Sequence, residues 1–406
     1  MEKMTGIIGI VVLLGIAFAM SNNRKNINLR VVGWGLGLQL LFALFILKTP
    51  VGEPLFAFLD KAVRKLISFS DAGGNFLFES FVPGVGYHEA MVNFAFRALP
   101  TIIFFSALMT VLYHFGIIQF VVKWIAKAMQ KTMKTSGSET LSVSANIFVG
   151  QTEAPLMIRP FIQNMTKSEL MTIMTGGFAT VAGGVLALYV NWLGDIPGIA
   201  GHLLAASVMS APAALAIAKI IYPESGTPET AGEISLEVEK PDANSMDALG
   251  RGATEGLKLA ANVAAMLIAF VSMVSLINYL LGITGTSLEE IFSFVFKPLA
   301  WAMGVPWEEA GMMGMLMGEK IAFTELIAYG DLKQMLATGQ ISDRTAIIAS
   351  YALCGFANFG SIGIQLGGIG GMAPERRKDL AALVVKAMIG GALASWLTAT
   401  IAGILI

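Results

Sequence analysis

Charged residues are scarce in this chain of 406 amino acids, because only 14% are Asp, Glu, Lys or Arg, against roughly 25% in an ordinary soluble domain. Hydrophobic residues make up 55%, which indicates that lipid rather than water surrounds most of the chain. A formal net charge of −1 argues against a nucleic-acid partner, since such a surface needs many Lys and Arg side chains to displace phosphate counterions. The composition therefore predicts a membrane protein.

Cysteine and histidine are also rare. Cys354 is the only cysteine, so a disulfide within the chain is excluded and a thiolate metal site is not expected. The histidines, His88, His114 and His202, are far apart and lack the spacing of a zinc site. No nucleophile and base are paired near the polar segments described below, which argues against a membrane enzyme.

Long segments without charge are abundant. Eight of them approach or exceed the ~17–25 residues that a spanning helix requires, and they predict eight transmembrane helices: 4–23, 31–47, 98–122, 170–194, 196–218, 259–288, 345–374 and 387–406. The first could instead be a cleavable signal, since Lys3 precedes an apolar run ending in Ala17-Phe18-Ala19. The basic residues that follow it, and the next span, favour a transmembrane helix.

Lys and Arg are concentrated after the odd-numbered spans, which predicts that those loops are cytoplasmic and that both termini lie outside. Segment 54–70 departs from this pattern, since Lys61, Arg64 and Lys65 follow an even-numbered span. Its apolar residues recur at helical spacing opposite the charges, and this predicts an amphipathic helix in the membrane interface.

Two apolar segments carry charge near their centres: 137–165, with Glu153, and 299–330, with Glu325. A straight helix would hold either carboxylate near the bilayer middle at a cost of roughly 2.5–3.5 kcal/mol or more. A re-entrant hairpin avoids this cost by placing a polar tip in a protein-lined, wet cavity. We therefore predict two re-entrant hairpins in addition to the spans.

The same order of elements follows each hairpin. A span interrupted by glycine, at 176–184 or 355–361, is followed by an uninterrupted one. The two units start three spans apart, so they enter the membrane from opposite faces, which is typical of transporters with inverted repeats and not of channels or enzymes. The predicted organisation is a scaffold at 1–136, repeat 1 at 137–222, an acidic cytoplasmic loop and scaffold span at 223–298, and repeat 2 at 299–406.

Polar side chains at the tips and breaks suggest what is bound. Amide, hydroxyl and carboxylate groups come from Gln151, Thr152, Glu153, Glu325, Asn358 and Ser361, and Phe356 adds an aromatic face. Such a set suits a neutral ligand with hydroxyl groups and a planar heterocycle, whereas an anion calls for Arg or Lys. Helix capping is the alternative role for Asn358 and Ser361.

These segments resemble the concentrative nucleoside transporters, and the likeness extends over most of the chain. It is densest in four motifs: 150–155 (GQTEAP), 210–219 (SAPAALAIAK), Thr324-Glu325 and 355–370 (GFANFGSIGIQLGGIG). The resemblance implies a homotrimer of the bacterial inner membrane, whose transport domain moves as an elevator against a scaffold and imports nucleosides such as uridine.

The resemblance also implies roles for individual residues. Gln151, Thr152 and Glu153 would face the nucleobase, the last two through water, with Val185 and Phe356 packed on it. Glu325, Asn358 and Ser361 would hold the ribose hydroxyls.

For the coupling ion, the resemblance points to side-chain oxygens of Asn146 and Thr180 and to backbone carbonyls of Val149 and Val181. The family often has Ser where this chain has Thr180, and the hydroxyl is retained. An all-oxygen shell suits a hard cation such as sodium. The alternative coupling ion is a proton carried by Glu153 or Glu325. The alternative function with sodium is the transport of another neutral polar solute.

Overall fold

Helices form all the regular structure in residues 2–79, 86, 91, 94–97, 99–232 and 242–406, which are the residues that the computed structural model describes. This is the expected consequence of the composition, because a backbone in lipid must satisfy its polar groups internally and a helix does so within one segment. The observed fold class is therefore all-helical.

Six α-helices lie in the described part of the N-terminal third. They are α1 (Glu2–Ala19), α2 (Leu29–Lys48), α3 (Gly52–Phe78), α4 (Phe94–Arg97), α5 (Leu99–His114) and α6 (Ile117–Met133). The predicted amphipathic segment 54–70 falls within α3, which is longer at both ends; its position in the membrane interface remains a prediction.

Five helices follow in the segment predicted as repeat 1. They are α7 (Gly137–Ala145), α8 (Arg159–Ile162), α9 (Lys167–Ala179), α10 (Gly183–Trp192) and α11 (Ile199–Ile221). Residues 146–153 between α7 and a short 3-10 helix, Ala154–Ile158, have no regular helix; we name them tip 1. The gap between α9 and α10 lies where the glycine-rich break is predicted.

Two helices connect this segment to the last five. The connectors are α12 (Ser245–Gly282) and α13 (Leu288–Ala302), followed by α14 (Ala310–Ala322), α15 (Glu325–Ala337), α16 (Asp343–Leu353), α17 (Phe359–Met372) and α18 (Arg377–Leu405). Phe323 and Thr324 between α14 and α15 are named tip 2. The break between α16 and α17 lies where the second break is predicted. The helices flanking tip 2 cover 310–337 rather than the predicted 299–330, because a turn at Gly304 with φ +97° separates α13 from α14.

Five helical stretches of the described chain are long and apolar enough to cross a membrane: Leu29–Lys48, Lys167–Trp192, Ile199–Ile221, Ser245–Gly282 and Pro374–Leu405. The pair α5 and α6 makes a sixth if it is one span, but it is bent by 75°. The bend follows from Gly116, whose left-handed φ of +77° ends α5. The predicted span 98–122 therefore stops earlier, and the total of eight spans and the re-entry of the hairpins remain predictions.

The core is formed by the two repeat segments. In Lys167–Trp192 and in Ile199–Ile221, 89% of the most apolar part of the helical stretch is buried, whereas in Ser245–Gly282 only 6% is buried. Helix α18 packs closely on α9, because Gly391 lies against Phe178 and Gly390 against Thr175. Helix α12, by contrast, exposes large apolar side chains such as Ile268 and Tyr279, as expected of a surface that contacts lipid or another subunit.

The acidic loop is partly anchored. Residues 233–241 lie outside the described part of the chain, but Glu224 accepts hydrogen bonds from Lys219 and Thr166. Thr230 is bonded to the start of α7 through its backbone carbonyl, which accepts from Gly137 N at 2.9 Å. The described start of this loop is therefore hydrogen-bonded to the first repeat segment.

Candidate functional site

A cavity of about 160 Å³ lies where tip 1, tip 2 and both helix breaks meet, and α12 closes one side. All eight side chains predicted to bind substrate line it: Gln151, Thr152, Glu153, Val185, Glu325, Phe356, Asn358 and Ser361. Residues more than 200 positions apart in sequence thus line the same cavity, which supports the prediction that they belong to one site. Their role in binding remains a prediction.

Tip 1 is a break in the helical backbone between α7 and the 3-10 helix. Ser136 and Glu139 form a capping box that starts α7, and α7 ends at Ala145. The helix does not resume before Glu153 because the following Pro155 has no backbone donor. The carboxylate of Glu153 folds back against Gly150, where a Cβ would collide with it.

Tip 2 presents Glu325 at the start of a helix. The hydroxyl of Thr324 accepts from Leu326 N at 3.1 Å and caps α15, so that Glu325 occupies the first turn, where the helix dipole favours a negative charge. Its two oxygens are held separately: Tyr189 Oη donates to Oε1 at 2.7 Å, and Asn358 Nδ2 donates to Oε2 at 3.0 Å. A buried carboxylate with fixed acceptor oxygens results.

Asn358 caps a helix, which is the alternative role considered from the sequence, and it also bonds a second residue of the cavity; substrate binding by Asn358 remains a prediction. Its Oδ1 caps α17 by accepting from Ser361 N at 2.8 Å, while its Nδ2 binds Glu325. The cap fixes the amide orientation, since a backbone N–H can only donate. Capping and site formation are therefore one arrangement here.

Several residues that line the cavity or support its lining were not predicted from the sequence. Tyr189 on α10 and Gln365 on α17 bond directly to predicted residues, since Gln365 Nε2 donates to Gln151 Oε1 at 3.0 Å. An apolar wall comes from α12 through Leu259, Val263, Met266 and Leu267. Gln365 lies within the 355–370 motif, and its polar side chain in an apolar helix was the available signal.

A second cavity of about 390 Å³ adjoins the first, and Gly150, Glu153, Ala182 and Leu259 line both. It is more polar at its far end, where Arg251 and Glu255 lie. Arg251 Nε and Nη2 hydrogen-bond Asp242 at 2.6 and 2.8 Å, which lowers the pKa of that carboxyl. Glu153 therefore lies at the boundary between the smaller cavity and the larger one.

The four predicted sodium ligands lie at tip 1 and at the α9–α10 break. Asn146 is the C-cap of α7 and Thr180 that of α9, and the two segments are joined by Gly183 N, which donates to Phe148 O at 3.1 Å. Asn146 Oδ1 is buried and has no hydrogen-bond partner among the described residues. Thr180 Oγ1 donates to Gly176 O at 3.0 Å, which leaves its lone pairs for a cation.

A neutral, all-oxygen donor set of this kind fits sodium. A buried oxygen without a hydrogen-bond partner costs free energy unless a ligand or ion binds it. The Oδ1 atom of Asn146 is such an oxygen. No group of three or more His, Cys, Asp or Glu that could hold a metal occurs among the described residues.

Comparison with known families gives three matches along the chain. Residues 8–81 match "Na+ dependent nucleoside transporter N-terminus", residues 95–196 match "Nucleoside recognition" and residues 202–403 match "Na+ dependent nucleoside transporter C-terminus". The matched families are transporters and not enzymes.

Individual relatives agree. The chain is 43% identical over its whole length to the sodium/nucleoside cotransporter 1 of Mus musculus, of which it spans 64%, and 43% identical to the uncharacterized transporter YutK of Bacillus subtilis, over the full length of both. Its structure matches CNTnw in an inward-facing, substrate-bound state with a TM-score of 0.92 and 40% identity, covering 100% of this chain and 98% of that one. The chain belongs to the sodium-dependent nucleoside transporter family.

Proposed function

We propose that this protein is a secondary active symporter that imports nucleosides across the bacterial inner membrane, driven by a sodium gradient. The observation that carries the proposal is the cavity in which Glu325 and Asn358 face Gln151 and Phe356. The first pair supplies acceptors and donors for a sugar, and the second pair an amide and a ring face for a planar base.

The ribose end is assigned to Glu325, Asn358 and Ser361. Carboxylate oxygens accept from vicinal hydroxyls, and such charge-assisted bonds are roughly twice as strong as neutral ones. The base end is assigned to Gln151, Thr152 and Glu153, with Val185 and Phe356 packing on the ring. The apolar wall of α12 completes the enclosure without adding charge, as a neutral ligand requires.

Sodium is assigned to Asn146, Val149, Thr180 and Val181. These residues connect tip 1, which carries Gln151, to the α9–α10 break, which leads into Val185 and Tyr189. An ion that joins the two segments would order the base-binding residues, so sodium and nucleoside would raise each other's affinity by the same factor.

The distribution of burial supports a proposal for movement and assembly. The two repeat segments, 137–222 and 299–406, form the buried body and are proposed to move together as the elevator-type transport domain. Segments 1–136 and 223–298 are proposed as the scaffold, and the exposed apolar surface of α12 as a contact with lipid and with neighbouring subunits of a homotrimer. Both termini would lie on the external side.

Uptake into vesicles containing the purified protein tests the proposal. Labelled uridine should accumulate with saturation when sodium is higher outside, and unlabelled nucleosides should compete whereas dicarboxylates should not. Competition by dicarboxylates alone would contradict the substrate assignment. Uptake that persists without sodium but stops when a pH gradient is collapsed would replace sodium by a proton.

A further inference from the structure

Gln365 lies directly behind the predicted base-binding residue Gln151, on the side away from the cavity. It is 1% exposed and sits on α17, whereas Gln151 belongs to tip 1. Its Nε2 donates to two acceptors, Gln151 Oε1 and Met174 O, each at 3.0 Å. Three segments of the chain thus converge on one amide nitrogen.

The direction of these hydrogen bonds is determined by the backbone. Met174 O is a carbonyl oxygen and can only accept, so the atom of Gln365 that faces it must be the amide nitrogen. That nitrogen has two hydrogens, and its second one requires an acceptor on Gln151. The acceptor is Oε1, and the amide of Gln151 therefore has one orientation.

The packing keeps the two amides together. Gly177 on α9 lies against both of them, and a Cβ at that position would be 2.7 Å from Gln365 Nε2 and 2.9 Å from Gln151 Cβ. The absence of a side chain at Gly177 therefore makes room for the contact. A rotation of either amide would break a bond in a buried place, where an unpaired polar group costs about 1–3 kcal/mol.

With Oε1 of Gln151 turned towards Gln365, its Nε2 is the amide atom left on the side of the cavity that Gln151 lines. We propose that Gln365 is a positioning residue that sets the base preference of the site, because it makes Gln151 a hydrogen-bond donor towards the base. A donor pairs with a keto oxygen and opposes an exocyclic amino group. The site should therefore prefer uracil to cytosine and hypoxanthine to adenine.

This inference rests on the proposed function, since it concerns the same cavity. It adds a residue that need not touch the ligand and a chemical class of base: those with a keto group at the edge that meets Gln151. It also separates the orientation of Gln151 from its presence, because a Gln365 variant leaves the Gln151 side chain itself unaltered.

Isothermal titration of the purified protein in sodium, with the matched pairs uridine and cytidine, and inosine and adenosine, provides the test. In Gln365→Glu, the carboxyl group carries at most one proton, which donates a hydrogen bond to Met174 O. The amide of Gln151 must then turn so that its Nε2 donates to the carboxyl group. Gln151 Oε1 then faces the base. The ratio of cytidine Kd to uridine Kd, and that of adenosine to inosine, should each fall about tenfold from the unmodified protein, the effect of one reversed hydrogen bond.

Gln365→Met is the second variant, and it retains volume without the hydrogen bonds. Gln151 is then free to rotate, and both ratios should approach one; this variant decides the matter if Gln365→Glu does not fold. Gln340→Glu, at an exposed position after α15, is the control for added charge and should leave the ratios unchanged.

The outcomes are distinct. Nucleoside binding by the unmodified protein with ratios that do not move in either Gln365 variant overturns this inference alone. Absence of nucleoside binding by the unmodified protein overturns the proposed function and the inference with it. A shift of both pairs in the same direction supports the positioning role, since a merely structural defect would weaken all four ligands alike.

Discussion

Tyr189 donates a 2.7 Å hydrogen bond to Oε1 of Glu325, joining two residues that are 136 positions apart. Tyr189 lies just after the α9–α10 break and Glu325 at tip 2, so the bond connects the two repeat segments across the cavity. Its ring also packs on Tyr329 of α15, with centroids 4.4 Å apart. The orientation of the Glu325 carboxylate is therefore held by a side chain from the other repeat segment.

Glu325→Gln should largely abolish nucleoside binding. The change keeps the shape but removes the charge that strengthens bonds to ribose hydroxyls, and a carboxamide has only one acceptor oxygen. Titration of uridine in sodium measures the effect, and Glu308→Gln, at an exposed position in the turn before α14, is the control. Unmodified affinity in Glu325→Gln would remove this carboxylate from the ribose site.

Tyr189→Phe should weaken uridine binding by about three- to tenfold, or ~0.7–1.4 kcal/mol, which is less than the ~1.5–3 kcal/mol of a hydrogen bond to a charged acceptor because Tyr189 acts on the ligand through Glu325. Glu325 keeps its bond from Asn358 but loses the one that fixes Oε1, so its orientation is less defined. Deoxyuridine should lose less affinity than uridine, because it makes fewer bonds to the displaced carboxylate. Equal losses for the two ligands would argue for a general disturbance of the cavity.

Thr180→Val should raise the sodium concentration needed for half-maximal uridine binding by about tenfold, or ~1.4 kcal/mol. Valine has the same shape but no oxygen to offer the ion, and saturating sodium should restore nucleoside affinity through the coupling. Thr172→Val is the matched control, since Thr172 is also buried on α9 and its hydroxyl also bonds four residues back, to Ser168 O at 2.9 Å. Equal sodium dependence in the two variants would contradict the ion assignment.

Lys219→Met should lower the free energy of unfolding by about 3–5 kcal/mol, because it leaves the buried carboxylate of Glu139 without its counter-charge. Lys219 Nζ is 2.8 Å from Glu139 Oε2 and 3.1 Å from Glu224 Oε2, and its side chain is 6% exposed. Thermal unfolding in detergent with added sodium provides the measurement.

Two comparisons make the Lys219 result specific. Lys167→Met removes an ion pair with Asp379 in which Lys167 is 55% exposed, and it should change stability by no more than about 1 kcal/mol. Adding Glu139→Gln to Lys219→Met should recover part of the loss, since the unpaired charge is then gone. A double variant less stable than Lys219→Met would argue that packing, rather than charge, explains the effect.

Gly355→Ala should destabilise the protein by at least about 2 kcal/mol. Gly355 has φ +130° at the α16–α17 break, and a Cβ there would be 2.7 Å from Phe178 O near the end of α9. The two helix breaks touch at this point. Gly363→Ala, in the helical interior of α17 with nothing near the added methyl, is the control and should be neutral or slightly stabilising; a loss of stability there similar to that of Gly355→Ala would contradict the steric explanation.

Much of the organisation followed from the sequence for local reasons. Scarce charge indicated the membrane, and glycine clusters located both helix breaks, because glycine weakens a helix and readily adopts conformations that other residues avoid. Carboxylates in apolar segments marked Glu153 and Glu325 as site residues. The bend at Gly116 was less evident, since an apolar run continues across it to Val122; the lysines at 123, 127 and 131 were the sign that the run had become a different helix.

Other features were decided by the tertiary structure, because they depend on pairs of side chains that no local pattern relates. Gln151 and Gln365 are 214 positions apart, and the orientation of the first amide depends on a carbonyl, Met174 O, from a third segment. In the same way Tyr189 reads as an ordinary aromatic residue of an apolar helix until α10 packs beside tip 2. The sequence by itself thus determined the membrane location, the breaks and the types of group in the site. Only the packed fold decided which of those groups meet and which of their atoms face the cavity, since hydrogen-bond direction is fixed by partners from distant parts of the chain.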